Sequence, residues 1–171
     1  SSLSKEAAED FAKELKAYAD IYGLDGFDFD DEYSNYSENP SPGFEERSSA
    51  NYCRLIYECR KIMPDKLLGI YEYLLYDAPN GSVEGKSAGE LVDYMCYGTY
   101  QRYAKGREEN FAGLPKSKYG PYSLKINNEY NGGWSGFNQE TIQDLKDAGY
   151  GLQVFYNPEP RTFSYDHYFT A

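Results

Sequence analysis

The residues Leu24-Asp25-Gly26-Phe27-Asp28-Phe29-Asp30-Asp31-Glu32-Tyr33 place five carboxylates within eight positions of a stretch that otherwise reads as a strand. Side chains alternate across a strand, so Asp28, Asp30 and Glu32 share one face and Phe27 and Phe29 the other. Carboxylates this close cannot all ionise without cost, so a proton should be shared among them, as acid/base chemistry requires. A calcium loop is excluded by spacing. An EF-hand frame started at Asp28 puts Tyr33 sixth and Asn39 twelfth, and one started at Asp25 puts Asp30 and Tyr36 there, where Gly and Glu are needed. A solvated acidic turn is disfavoured by Phe27, Phe29 and Leu24, which need a buried opposite face.

Helices alternating with short apolar strands are expected to position this segment, the pattern of an α/β fold with a parallel sheet. Ser4 to about Asp20 reads as an amphipathic helix stopped by Gly23, with Leu24 to Asp30 as the following strand. Glu45 to Met63 reads as the next helix, with Leu55, Ile56, Cys59 and Ile62 inward, and Leu67 to Tyr73 as the next strand. A loop around Asn80-Gly81-Ser82 and a helical turn lead to a strand from Leu91 to Tyr97. Gly98 to Gly113 reads as a loop at a working surface. Tyr122 to Asn127 is a weaker strand, Gln139 to Ala148 a helix capped by Asn138 and closed by Gly149, and Gly151 to Tyr156 the last strand. Ser164 to Ala171 resembles the start of a further helix.

Composition narrows the chemistry. The chain has 171 residues and a net charge of −11, which repels phosphate backbones and anionic lipid and so disfavours nucleic acid and membrane surfaces as partners. No apolar run reaches the roughly 20 residues of a membrane helix. His167 is the one histidine, which leaves no second imidazole for Ser-His-Asp or Cys-His catalysis. Cys53, Cys59 and Cys96 have no metal-binding spacing and read as small buried hydrophobes. Carboxylates and some of the 20 tyrosines must then carry any catalysis, and tyrosine-rich clefts suit sugar rings.

Asp25-Gly26-Phe27-Asp28-Phe29-Asp30-Asp31-Glu32 matches the DxxDxDxE signature of glycoside hydrolase family 18 position by position. The wider context Tyr22 to Tyr33, the pair Asp93-Tyr94 followed by Tyr97-Gly98-Thr99-Tyr100, and Gly149-Tyr150-Gly151 followed by Phe155-Tyr156-Asn157 resemble the endo-β-N-acetylglucosaminidase branch of that family. Chitinases of the family usually carry a Trp at the end of the last barrel strand, where this chain has Val154 to Asn157.

The resemblance implies substrate-assisted, retaining hydrolysis of the β-1,4 bond between the two core N-acetylglucosamines of N-linked glycans, as in the mannosyl-glycoprotein type of endo-glycosidase, without a cofactor or metal. Family 18 is a known exception to the two-carboxylate scheme. It implies Glu32 as general acid and then base, Asp30 as the group that orients the acetamido nitrogen, and Asp28 as a deeper partner sharing a proton with Asp30. Tyr97 is expected to bond the acetamido carbonyl, with Met95 beside it on the same face. Asp25 is expected to be structural. Tyr33, Glu72, Tyr156 and Asn157 are further candidates for substrate contact. A chitinase and a non-catalytic glycan-binding relative are the competing readings. The substrate implies a secreted or cell-envelope protein, periplasmic or surface, in a bacterium.

The expected fold is the (β/α)8 TIM barrel, which takes roughly 250 residues. One helix precedes the acidic strand, which the resemblance makes the fourth of the barrel. Residues 1 to 171 would then be a catalytic-domain fragment, strands four to eight. An N-terminal segment supplying strands one to three is the expected partner, beside an N-glycan or glycoprotein substrate.

Overall fold

The structure, a computed structural model, describes residues 1–31, 42–72, 80–98, 104–125 and 139–156. Helix α1 (Lys5–Tyr22) begins where the Ser4 side chain accepts from the Ala7 amide at 3.2 Å, and ends at Gly23, which takes a left-handed φ of 66°. It buries Ala8, Ala12 and Ala19, and delivers the chain to strand β1 (Gly26–Phe29). Helix α2 (Ser49–Ile62) starts four residues later than the sequence pattern suggests, because Ser48 caps it by accepting from the Asn51 amide. Strand β2 (Leu67–Glu72) follows and pairs in parallel with β1, Gly26 opposite Leu67 and Asp28 opposite Gly69.

Between β2 and the next sheet strand the structure adds a hairpin where a loop is expected, and the expected helical turn is present. Strands β3 (Ser82–Val83) and β4 (Lys86–Ser87) form a hairpin whose turn residues Glu84 and Gly85 both have positive φ, 52° and 74°. A capping box between Ser87 and Glu90 then nucleates α3 (Ala88–Leu91), so Leu91 is helical and strand β5 (Tyr94–Tyr97) begins three residues later than expected. Asp93 fixes that start. Its Oδ2 accepts from Arg60 at 2.6 Å and from the Leu68 amide at 2.8 Å.

Beyond β5, 3-10 turns at Arg107–Asn110 and Lys116–Lys118 precede β6 (Tyr119–Gly120) and β7 (Ser123–Lys125). Helix α4 (Gln139–Asp147) leads to β8 (Val154–Tyr156). A parallel sheet runs in the order β1-β2-β5-β6, and β7 pairs in parallel with β8. Only Pro121 and Tyr122 separate β6 from β7, and Pro121 has no amide to donate, which interrupts the ladder there. Tyr52, Ile56, Leu68, Ile70, Met95 and Tyr119 are almost fully buried and form the core between the sheet and the helices. Asn138 and the segment Ser164 to Ala171 lie outside the described residues.

Candidate active site

Parallel pairing puts partnered residues on the same face of a sheet. Asp28 pairs with Gly69 and Gly69 with Tyr94, while Tyr71 pairs with Cys96 and Cys96 with Gly120. One face of the sheet therefore carries Asp28, Gly69, Tyr71, Tyr94 and Cys96. The other carries Phe27, Phe29, Leu68, Ile70, Glu72, Met95, Tyr97 and Tyr119 and makes the core.

Asp28 is exposed on the first face, and Asp30 follows one residue beyond the end of β1, also exposed. Tyr94, half-buried, donates its hydroxyl to the Asp28 carboxylate. Burial, then that hydrogen bond and the Asp28 charge, raise the Tyr94 hydroxyl well above the ordinary phenol range, so it stays a donor. Cys96 lies on the same face. Its thiol is pushed up to about 12 by burial and then by the Asp28 and Glu72 charges, which makes it inert at neutral pH. Cys53, Cys59 and Cys96 are all buried and free.

Tyr97 and Met95 do not share the acidic face. The register that pairs Gly69 with Tyr94 gives them opposite parity, and they are buried in the core at 3% and 0% exposure. The resemblance puts Tyr97 at the end of the strand two after the acidic one, but the face it takes depends on register, which no single strand encodes. Tyr94, not among the candidates read from the sequence, is the tyrosine that the register brings to the face of Asp28. Its signal was Gly69, a small residue mid-strand of the kind that admits a neighbouring group.

Glu72 is likewise not open to a substrate. It is fully buried, and its Oε1 accepts from Arg107 Nε at 2.8 Å and from the Tyr119 hydroxyl at 3.0 Å. Burial raises its carboxyl above the ordinary range, against the opposing pull of Arg107 and Tyr119. Arg107 also lies 5.2 Å over the Phe111 ring. Next to it, the Tyr150 hydroxyl accepts from the Gly106 amide at 2.8 Å and donates to the buried Glu108 at 3.0 Å. Residues 104–111, expected as part of an open loop, are thus strapped to the C-terminal ends of β2 and β6.

Tyr52 is buried in the first turn of α2, and its hydroxyl has no hydrogen-bond partner among the described residues. Burial and then the charges of Asp31, Asp28 and Asp30 push its hydroxyl far up. It lines a cavity of about 430 Å³ together with Phe11, Phe29, Asp30, Asp31, Phe44 and Leu55, between the two helices and the end of β1. Glu32, Tyr33 and Asn157 lie outside the described residues, and Tyr156 is described through its backbone, in β8. Among the described residues no three His, Cys, Asp or Glu side chains gather as metal ligands would, and no helix is long and apolar enough to cross a membrane.

No family model matches the chain. It is 35% identical over 159 residues to endo-beta-N-acetylglucosaminidase F1 of Elizabethkingia meningoseptica, covering 93% of this chain and 45% of that protein. It is 30% identical over 154 residues to an endo-beta-N-acetylglucosaminidase of Flavobacterium sp. strain SK1022, covering 90% of this chain and 46% of that one. Among solved structures it resembles Bacteroides thetaiotamicron EndoBT-3987 with a Man5GlcNAc product, at a TM-score of 0.69 and 28% identity, over 93% of this chain and 35% of that chain. The same protein in complex with a Man9GlcNAc2Asn substrate matches at a TM-score of 0.69 and 27% identity, over 93% and 38% of the two chains. The chain spans about half the length of the curated relatives it matches, and those relatives are bacterial endo-β-N-acetylglucosaminidases.

Proposed function

We propose that this chain carries the acid/base half of an endo-β-N-acetylglucosaminidase of the glycoside hydrolase family 18 type, which cleaves between the two core N-acetylglucosamines of N-linked glycans. The observation that carries the reading is the end of β1. Asp28 faces away from the core, Asp30 follows it just past the last paired residue, and Glu32 is two residues further in the sequence. Carboxylates at the C-terminal end of a parallel strand are where barrel enzymes keep their chemistry. Similarity along 93% of the chain to proteins named for this activity supports the same reading.

In this mechanism the 2-acetamido oxygen of the bound sugar attacks its own anomeric carbon while Glu32 donates a proton to the departing glycosidic oxygen. Asp30 holds the acetamido N–H and stabilises its developing positive charge, and Asp28 lies behind it. Glu32, now a carboxylate, removes a proton from the water that opens the oxazolinium ring. The anomeric configuration is retained because it inverts twice. The acetamido carbonyl partner was expected at Tyr97, which the register turns into the core. We assign this role instead to Tyr100, the second tyrosine of the Tyr97-Gly98-Thr99-Tyr100 segment that carries the resemblance.

The fold we propose is a (β/α)8 barrel, of which the strands β1, β2, β5, β6 with β7, and β8 form a consecutive arc. No other strand pairs with the outer edge of β1 among the described residues. Tyr18, Ile21 and Tyr22 on α1 and Leu67 at the start of β2 are more than half exposed. Further strands of a longer polypeptide would pair and pack there. The substrate places such an enzyme outside the cytoplasm, secreted or on the cell envelope.

The direct test is release of a defined high-mannose glycan from a glycoprotein by the full-length protein that contains this chain. Glu32→Gln is expected to lower kcat by at least about 100-fold, the usual worth of a positioned general acid, while binding persists. Full activity in that variant, or cleavage of chitin oligomers in preference to N-glycans, would overturn the assignment.

A further inference from the structure

We propose that Tyr94 is a positioning residue for the Asp28 and Asp30 pair, its hydroxyl tethering the Asp28 carboxylate across the gap that Gly69 leaves in β2. Neighbouring strands lie about 4.8 Å apart, so β5 and β1, with β2 between them, are separated by roughly 10 Å. A tyrosine and an aspartate span that distance only by leaning toward each other over the intervening strand. The residue they cross is Gly69, paired with Asp28 on one side and with Tyr94 on the other. A Cβ placed on Gly69 would collide with the Tyr94 ring and lie 2.5 Å from Asp28 Oδ2. Glycine here is therefore the condition for the contact, since any other residue would push the two groups apart.

The tether has a consequence for the reaction, and this part rests on the function proposed above. A carboxylate at an exposed sheet surface samples several rotamers. One donor on one oxygen fixes its orientation and leaves the remaining lone pairs for a neighbour. In the proposed mechanism that neighbour is the proton shared with Asp30, the next carboxylate along the chain, one residue past the end of β1. Tyr94 is well suited to the task because its hydroxyl resists ionisation and so keeps its proton in place. Cys96, further along the same face, is buried and protonated and offers Asp28 no competing charge.

Tyr94→Phe in the full-length protein keeps the ring in the Gly69 gap and removes only the donor. Carboxyl 13C NMR at neutral pH, with Asp28 assigned as the resonance lost in Asp28→Asn, is expected to show that resonance displaced in Tyr94→Phe. Loss of a hydrogen bond to a charged group should lower kcat on a defined N-glycan by about tenfold. A positioning role predicts KM held within about twofold, and an unchanged thermal midpoint. A purely space-filling role for Tyr94 leaves both the resonance and kcat where they were. An unmoved Asp28 resonance overturns the tether whatever the activity. A displaced resonance with unchanged kcat overturns the positioning role. Absence of N-glycan cleavage by the unmutated protein would instead count against the proposed function, and the resonance would still decide whether Tyr94 holds Asp28.

Discussion

At the scale of single residues, the acidic signature was readable because alternation in a strand is local. Asp28 and Phe29 take the faces that their sequence parity dictates, with Phe29 packed against the core and Asp28 away from it. Tyr97 went astray for the opposite reason. Its face is set relative to β2 and β1 by register, and one residue of register exchanges the faces of a whole strand. The two tyrosines make opposite predictions. Tyr97→Phe should leave kcat on an N-glycan within about twofold, as a conservative change in a packed core would. Tyr100→Phe should lower it by about tenfold or more through loss of a hydrogen bond to the developing charge. Steady-state kinetics on both variants checks this, and a large loss in Tyr97→Phe with an intact fold would restore Tyr97 to the site.

At the scale of elements, capping residues decide boundaries. Ser4 and Gly23 place α1 almost where periodicity does, since both act on adjacent backbone. The helical turn expected before β5 is present, but the strand begins three residues after Leu91, because Leu91-Val92 is apolar in either state and the deciding contact is the Ser87–Glu90 box one turn earlier. The strap over the sheet end could not be read at all, because its members Glu72, Arg107 and Tyr119 meet only in space. Glu72 has its folded carboxyl raised above 4.5, with burial as the main cause. Its stabilising contribution is complete below that value and is lost as the pH rises through the folded one. The stability of Glu72→Gln minus that of the unmutated protein should therefore rise with pH above about 4.5, as read from urea midpoints at a series of pH values. A difference that falls with pH would show that Arg107 outweighs burial. Removing Arg107 alone leaves a buried carboxylate without its cation, so Arg107→Met is expected to cost about 3–5 kcal/mol.

At the scale of the whole molecule, an acidic chain of 171 residues with a net charge of −11 still exposes one apolar stripe, where Tyr18 and Tyr22 stack at a centroid distance of 6.1 Å on the outer side of α1. Together with the outer edge of β1, which no strand among the described residues pairs, this is where the further strands of the barrel proposed above would rest. The chain expressed alone should self-associate, and Tyr18→Glu with Tyr22→Glu should reduce that association in sedimentation experiments. If the barrel proposed above covers this face, the same pair should destabilise the longer protein, since burying two such side chains is worth about 3–6 kcal/mol. Equal stability of the longer protein with and without the pair would mean that this face stays in water. Sequence by itself determined the alternation of helices and parallel strands, the reading of the three cysteines as buried, and the placing of Asp28 and Asp30 at the end of a strand. All of these rest on interactions between residues close along the chain. Only the tertiary structure decided that Tyr94 and not Tyr97 faces Asp28, that Gly69 makes room for it, and that Glu72 is locked beneath Arg107. These follow from register between strands and from contacts across dozens of residues, which local spacing cannot specify.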